Sequence, residues 1–171
     1  INYYFQGEPY INPRFFDFVS YANSKKIFCA TSTNGHFLND ENCKKTIESG
    51  LKRLIISIDG NNQETYEVYR KNGRFEKVIE GTKNILRWKK KLNSNYPHII
   101  YQFLVVKTNE HLIDEMKTLA SEIGVNELRI KTAQFYNFKN GNELIPENDK
   151  YSRYIKTLNG QYKLKNKLSN H

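Results

Sequence analysis

Five short apolar runs, Ile1 to Phe5, Ile27 to Ala30, Leu54 to Ile58, Ile99 to Val106 and Leu128 to Ile130, are separated by stretches whose apolar residues recur at helical spacing. Strand and helix in alternation pair most readily as parallel strands joined by right-handed crossovers, because each helix carries the chain back to the edge where the next strand begins. The pattern predicts an α/β fold, as an open sheet or an arc of a barrel. A closed eight-unit barrel takes about 250 residues, whereas this chain has 171. An incomplete parallel (β/α) barrel is therefore easier to fit than a closed one.

The helices carry their own marks. Asn12 before Pro13 makes a good helix start, since Asn caps free amides and Pro loses nothing at the first helical position. Phe15, Phe16, Phe18, Val19 and Ala22 form the apolar face that follows. Asn39 or Asp40 opens a second helix with Cys43, Ile47 and Leu51 inward. Asn61 and Glu64 have capping-box spacing for a short helix carrying Tyr66, Tyr69 and Arg70. A longer helix presents Phe75, Val78, Ile79, Thr82, Ile85 and Leu86. Asn109 is read as the cap of the last helix, with Met116 and Ala120 inward and Gly124 as its stop. Beyond Lys131 the periodicity fades, so residues 1–135 are assigned to the partial barrel and 136–171 to a loop and polar tail.

A formal charge of +9 attracts anions but does not choose among them. The clusters Lys89 to Lys91 and Lys163 to Lys167 read as solvated faces, and no companion recognition motif accompanies them, so no specific nucleic-acid partner is expected. Cys29 and Cys43 make neither a disulfide framework nor a metal motif. His36, His98, His111 and His171 lack the short spacing of a zinc site, and no metal ligand is assigned. With no bilayer-length apolar stretch and no secretory leader, a cytoplasmic protein without a membrane partner is expected.

Chemistry in such folds sits at the carboxyl ends of the strands. Gly7 permits close backbone approach to a ligand, Glu8 accepts from an ammonium or hydroxyl, and Pro9 fixes the next turn. Thr33, Asn34 and Gly35 form a second polar strand end, where Asn34 could meet a ligand or bond its own turn. Ser57 and Asp59, two residues apart, point to one side of an extended segment and could both face a ribose or other polyol. Arg70 offers a planar fork suited to a carboxylate. Gln102, inside an apolar strand, is costly to bury unless its amide is bonded. Lys131, at the end of the last strand, either reaches the cavity or snorkels to solvent.

In order and spacing these strand ends resemble the middle of radical S-adenosylmethionine enzymes. Gln6-Gly7-Glu8-Pro9 resembles that family's Gly-Gly-Glu-Pro turn, with Gln6 in place of the first glycine. Ser32 to Gly35 resembles the end of its third strand, and Leu54 to Gly60 with Tyr69-Arg70 and Gly73 its fourth strand and next helix. Val105 to Asn109 and Gly124 to Lys131 continue through its fifth and sixth strands. The resemblance implies that this chain covers roughly the second to sixth strands of the core. It further implies that Gly7 and Glu8, with Gln6 and Pro9 in the same turn, hold the methionine amino end. Thr33 and Asn34 would flank the cofactor, Ser57 and Asp59 would approach the ribose, and Arg70 would meet the carboxylate. No catalytic residue is assigned.

That family's three-cysteine loop precedes its second strand, where this chain begins. The resemblance thus implies S-adenosylmethionine and a 4Fe–4S cluster in the complete enzyme, an electron donor as partner, and an isolated chain unable to bind the cluster or act. The wording of the fourth and sixth strands is most like members with a cysteine-rich carboxyl-terminal extension for auxiliary clusters, which implies a peptide or protein substrate. The competing reading is a noncatalytic α/β binding or scaffold module with a basic surface for a partner.

Overall fold

The structure, a computed structural model, describes residues 1–4 and 6–165. Four strands, β1 (Ala30–Thr33), β2 (Arg53–Ser57), β3 (His98–Val105) and β4 (Glu127–Thr132), pair in chain order and all in parallel. Helix α1 (Phe15–Ser24) precedes β1. The crossovers are α2 (Asp40–Glu48), then α3 (Gln63–Tyr69) with α4 (Phe75–Lys91), then α5 (Ile113–Ile123). Each crossover advances the sheet by one strand, which is the construction of a partial (β/α) barrel.

The expected first strand is smaller than read from sequence. Asn2 makes a single parallel bridge to Ala30, flanked by Tyr3 N donating to Ala30 O (2.8 Å) and Ala30 N donating to Ile1 O (2.9 Å). The segment lies at the sheet edge with a partner on one side only, and Gly7 at φ 82° turns the chain away. Phe5 lies outside the described residues. The second run is also displaced, to Ala30–Thr33, leaving Ile27 and Phe28 exposed. Its ladder uses β-branched Thr31 and Thr33, whose hydroxyls find partners in Tyr3 O and Glu8.

Caps follow the same logic, with small shifts. Asn39 accepts from Asn42 N (2.9 Å) and starts α2 as read. The capping box of α3 is Asn62 with Thr65, one residue later than Asn61 with Glu64. Asn12 accepts from Arg14 N (2.9 Å) in a local turn, and α1 begins only at Phe15. A single 3-10 turn, Glu110–Leu112, stands between Asn109 and α5, so Asn109 is free for another task. Helix α5 stops on Gly124, at φ 87°.

Parallel register gives the sheet two different faces. Leu54, Ile56 and Ile58 from β2 and Ile99, Tyr101, Phe103 and Val105 from β3 pack with Cys43, Ile47, Val78, Ile85, Met116 and Ala120 of the helices into one core. The opposite face carries Ser32, Ile55, Ser57, Ile100, Gln102 and Arg129, aligned across strands by the pairs Ser32 with Ile55, Ile55 with Ile100, Ser57 with Gln102 and Gln102 with Arg129. Helices cover the first face, while the second presents polar groups to the hollow of the arc.

The region read as loop and tail contains an antiparallel hairpin, β5 (Tyr154–Lys156) with β6 (Tyr162–Leu164). Buried Tyr154 packs its ring 4.7 Å from Phe138, and its hydroxyl accepts from Phe135 N (2.6 Å). The segment folds back onto the end of β3, where Lys107 N donates to Leu144 O (3.0 Å). Glu110 accepts from Glu147 N (3.1 Å) and Asn148 N (3.0 Å). Part of the Lys163 to Lys167 cluster lies outside the described residues.

Two buried groups set an alkaline limit. Burial pushes the Cys43 thiol from 9.0 up to about 12 and the Tyr101 hydroxyl from 10.0 up to about 12. Their folded-state values exceed their unfolded ones, so the stability they contribute is complete below pH 9 and is lost as pH rises toward 12. Urea midpoints measured from about pH 8 to about pH 11 are expected to fall progressively above about pH 9, and Cys43→Ala should flatten the early part of that fall. A flat profile over that range would contradict this account.

Candidate functional site

The site grows from the carboxyl ends of β1 and β2 and the turn that precedes α1. In that turn the Glu8 carboxylate accepts from Thr33 Oγ1 (2.9 Å), Asn34 N (2.7 Å) and Tyr10 N (3.3 Å). It thereby fastens the Gly7-Glu8-Pro9 turn to the end of β1. A carboxylate has about four lone-pair positions, so one remains for an incoming donor. Gly7 is exposed, and a Cβ there would meet nothing within 4 Å. Its requirement for glycine is thus conformational, the positive φ, rather than crowding.

A second fastening joins β2 to β3. Asp59 is fully buried; its Oδ1 accepts from Leu104 N (2.7 Å) and its Oδ2 from Arg70 Nε (2.5 Å). Its backbone carbonyl accepts from Asn109 Nδ2 (3.0 Å), while Asn109 Oδ1 accepts from Val106 N (2.8 Å). Burial pushes the Asp59 carboxyl up from its ordinary value, and the Arg70 guanidinium and the Leu104 amide pull it back. Arg70 itself follows α3 and is one-third exposed at its side chain. Because Asp59 takes the Nε side, the outer pair of guanidinium nitrogens is left for a ligand.

Between these fastenings lies a cavity of about 480 Å³ lined by Gln6, Gly7, Glu8, Thr33, Asn34, Ser57 and Arg70, together with Tyr4, Ile11 and Ser32. Seven of the sequence-derived positions, from four separate segments, thus meet in one place. Pro9 and Asp59 do not line it. Pro9 opens the 3-10 turn Pro9–Ile11, and Asp59 lies behind Arg70 as its holder. A neighbouring cavity of about 410 Å³ shares Asn34 and Arg70 and adds Phe37, Tyr66 and Gly73.

Sequence reading missed Ser32, although its alternation with Asn34 along the strand end was visible. It also missed the part played by Asn109, which required knowing that β2 and β3 end side by side. Among the described residues no group of three or more His, Cys, Asp or Glu is placed to hold a metal ion. Cys29, just ahead of β1, and Cys43, in α2, are free and each fully buried.

The chain is 33% identical over 119 residues to the AdoMet-dependent heme synthase of Methanosarcina barkeri, an alignment covering 69% of this chain and 32% of that protein. It is 28% identical over 124 residues to the mycofactocin maturase MftC of Mycolicibacterium smegmatis, covering 72% and 30%. The chain thus spans about a third of the length of these relatives. In fold it is similar to a histidine-tagged anSMEcpe with bound AdoMet (TM-score 0.60, 17% identity, 86% of this chain and 38% of that one). It is also similar to a domain of pyruvate-formate lyase-activating enzyme from Bacteroides vulgatus (TM-score 0.57, 12% identity, 80% and 81%). The family profile described as the Radical SAM superfamily matches residues 2–102, and the chain belongs to that family.

Proposed function

We propose that the complete protein is an enzyme that binds S-adenosylmethionine in the 480 Å³ cavity. The observation that carries this reading is the convergence there of Gly7, Glu8, Ser57 and Arg70, which offer acceptors and donors of complementary kinds. Glu8 is suited to the amino group of methionine, Ser57 to a ribose hydroxyl, and the free outer edge of Arg70 to the carboxylate. In the complete enzyme, S-adenosylmethionine together with a reduced 4Fe–4S cluster would supply a 5′-deoxyadenosyl radical for hydrogen abstraction. The chain's own residues bind and orient, holding the methionine end between two fastened strand ends.

The described residues do not fit the cluster, since they hold two buried cysteines and form no metal-holding group of three or more His, Cys, Asp or Glu. Residues 1–171 alone are accordingly proposed to be inactive in radical chemistry. An electron donor and a peptide or protein substrate belong to the same proposal. Support for the substrate class comes from a relative named as a maturase and from the likeness to peptide-modifying members. No helix among the described residues is long and apolar enough to cross a membrane, and a cytoplasmic location is proposed with the rest.

The direct test is calorimetric titration of the complete protein with S-adenosylmethionine. Arg70→Ala is expected to weaken binding about tenfold or more, the equivalent of one charge-assisted hydrogen bond. Arg70→Lys should fall between, keeping the charge but losing the fork. Ser57→Ala should lose about fivefold. Unchanged affinity in both Arg70 variants would remove the cavity from consideration as the cofactor site.

A further inference from the structure

We infer that Gln102 and Arg129, with Lys131 beside them, form a carboxylate-binding site for the substrate on the open face of the sheet next to the cofactor cavity. The inference rests on the proposed function, because it takes the neighbouring cavity as the cofactor's.

The register places these groups. Ser57, which lines the cavity, pairs with Gln102, and Gln102 pairs with Arg129. In-register neighbours of a parallel sheet project to the same face, and strands lie about 4.8 Å apart. Gln102 and Arg129 therefore stand about one and two strand spacings from the cavity wall, on the face that the helices leave open. In this inference the substrate that reacts with the bound cofactor lies over this row.

The chemistry of the row is that of an anion site. Gln102 interrupts a strand of Ile99, Ile100, Tyr101, Phe103 and Val105, is half-buried, and makes no side-chain hydrogen bond among the described residues. Its amide is not among the buried polar atoms of the structure, so it faces solvent and is open to an incoming acceptor. Arg129 is held by Glu127 through Nε (2.8 Å) and Nη2 (3.0 Å). That side-on grip fixes the guanidinium plane and leaves its end-on edge, with Nη1, available for a second planar partner. Lys131 follows two residues later on the same face, exposed and without an ion-pair partner among the described residues. Arg129 and Lys131 against Glu127 leave one excess positive charge, which matches a monoanion. A carboxylate satisfies the fork with two oxygens and accepts from the Gln102 amide.

The test is NMR of the complete protein carrying 15N-labelled arginine, titrated with four probes at constant ionic strength. N-acetylalanine offers a terminal carboxylate, N-acetylglutamate α-amide a side-chain carboxylate, N-acetylalaninamide none, and inorganic phosphate a different anion. One of the two carboxylates is expected to shift the Arg129 signals saturably with a dissociation constant in the millimolar range, on the order expected for so small a ligand. Which of them does so identifies a chain-terminal or an acidic side-chain substrate group. Arg129→Lys and Gln102→Leu should each weaken the binding about tenfold, the loss of one well-placed hydrogen bond to a charged group. Lys131→Gln, at an exposed position, serves if Gln102→Leu does not fold, and should weaken it about threefold. An equal response to N-acetylalaninamide, tighter binding of phosphate, or carboxylate binding unchanged in the folded variants would overturn the assignment. S-adenosylmethionine titrations on the same samples report separately on the cofactor reading.

Discussion

Asp59→Ala is expected to lower the unfolding free energy by about 3 kcal/mol, from a lost charge-assisted bond and a stranded buried amide. Two consequences come from one side chain. Leu104 N, now bonded to Asp59 Oδ1, would be left without a partner inside the sheet, and Arg70 would lose the carboxylate that holds its Nε. Arg70 is partly exposed and can rehydrate, so the larger share of the loss belongs to Leu104 N. Asp59→Asn separates the two contributions, because an amide oxygen still accepts from Leu104 N but no longer attracts Arg70 as a charge. Less than half the destabilisation is expected. Urea unfolding gives the free energies, with the denaturant slope confirming that the same surface is exposed. A loss under about 1 kcal/mol for Asp59→Ala would show that the β2–β3 fastening contributes little. Cofactor affinity should fall in both variants, since an unheld Arg70 must be ordered when the ligand arrives.

Gly60→Ala is expected to cost about 3 kcal/mol by overpacking. A Cβ at Gly60 would stand 2.6 Å from Tyr66 Cα and 2.7 Å from Thr65 C, contacts with backbone that no side-chain rotation relieves. Helix α3 would have to move off the end of β2, carrying Arg70 with it. The substitution should therefore reduce S-adenosylmethionine affinity at a residue outside the cavity lining. Gly124→Ala is the control. It sits at φ 87° with open space around its Cβ position, so only backbone strain of about 1 kcal/mol is expected, with cofactor affinity unchanged. If Gly60→Ala were as mild as Gly124→Ala, close seating of α3 on β2 would not be what positions Arg70.

The arc of strands and helices was readable from Asn39 to Ile130 because strand and helix leave different periods, and β2 to β4 and α2 to α5 lie where those periods place them. Edges were less readable. Whether Ile1 to Phe5 forms a full strand depends on neighbours, and an edge segment with one partner forms only a bridge. The hairpin of Tyr154 and Tyr162 was hidden because its anchor is one aromatic cluster, Tyr154 with Phe135 and Phe138, rather than a repeating face. At the site, residue types at strand ends singled out Glu8, Ser57 and Arg70. Their internal bonds could not be read. Asp59 looks like a ligand-facing acid from its spacing to Ser57, yet the close approach of β3 gives it Leu104 N and Arg70 to satisfy first.

The bond from Leu104 N to Asp59 joins positions 45 residues apart, across the crossover that contains both α3 and α4. Gathering so long a segment incurs its chain-closure entropy before any β2–β3 contact can offset it. Sheets built from distant parallel pairings fold slowly for this reason. Meanwhile β3, the longest and most apolar strand of the sheet, waits with its ladder groups open. A bond that shapes the cavity in the finished protein thus also ends the interval in which this strand can pair with another chain, and substitutions at Asp59 should lower the yield of folded protein along with its stability.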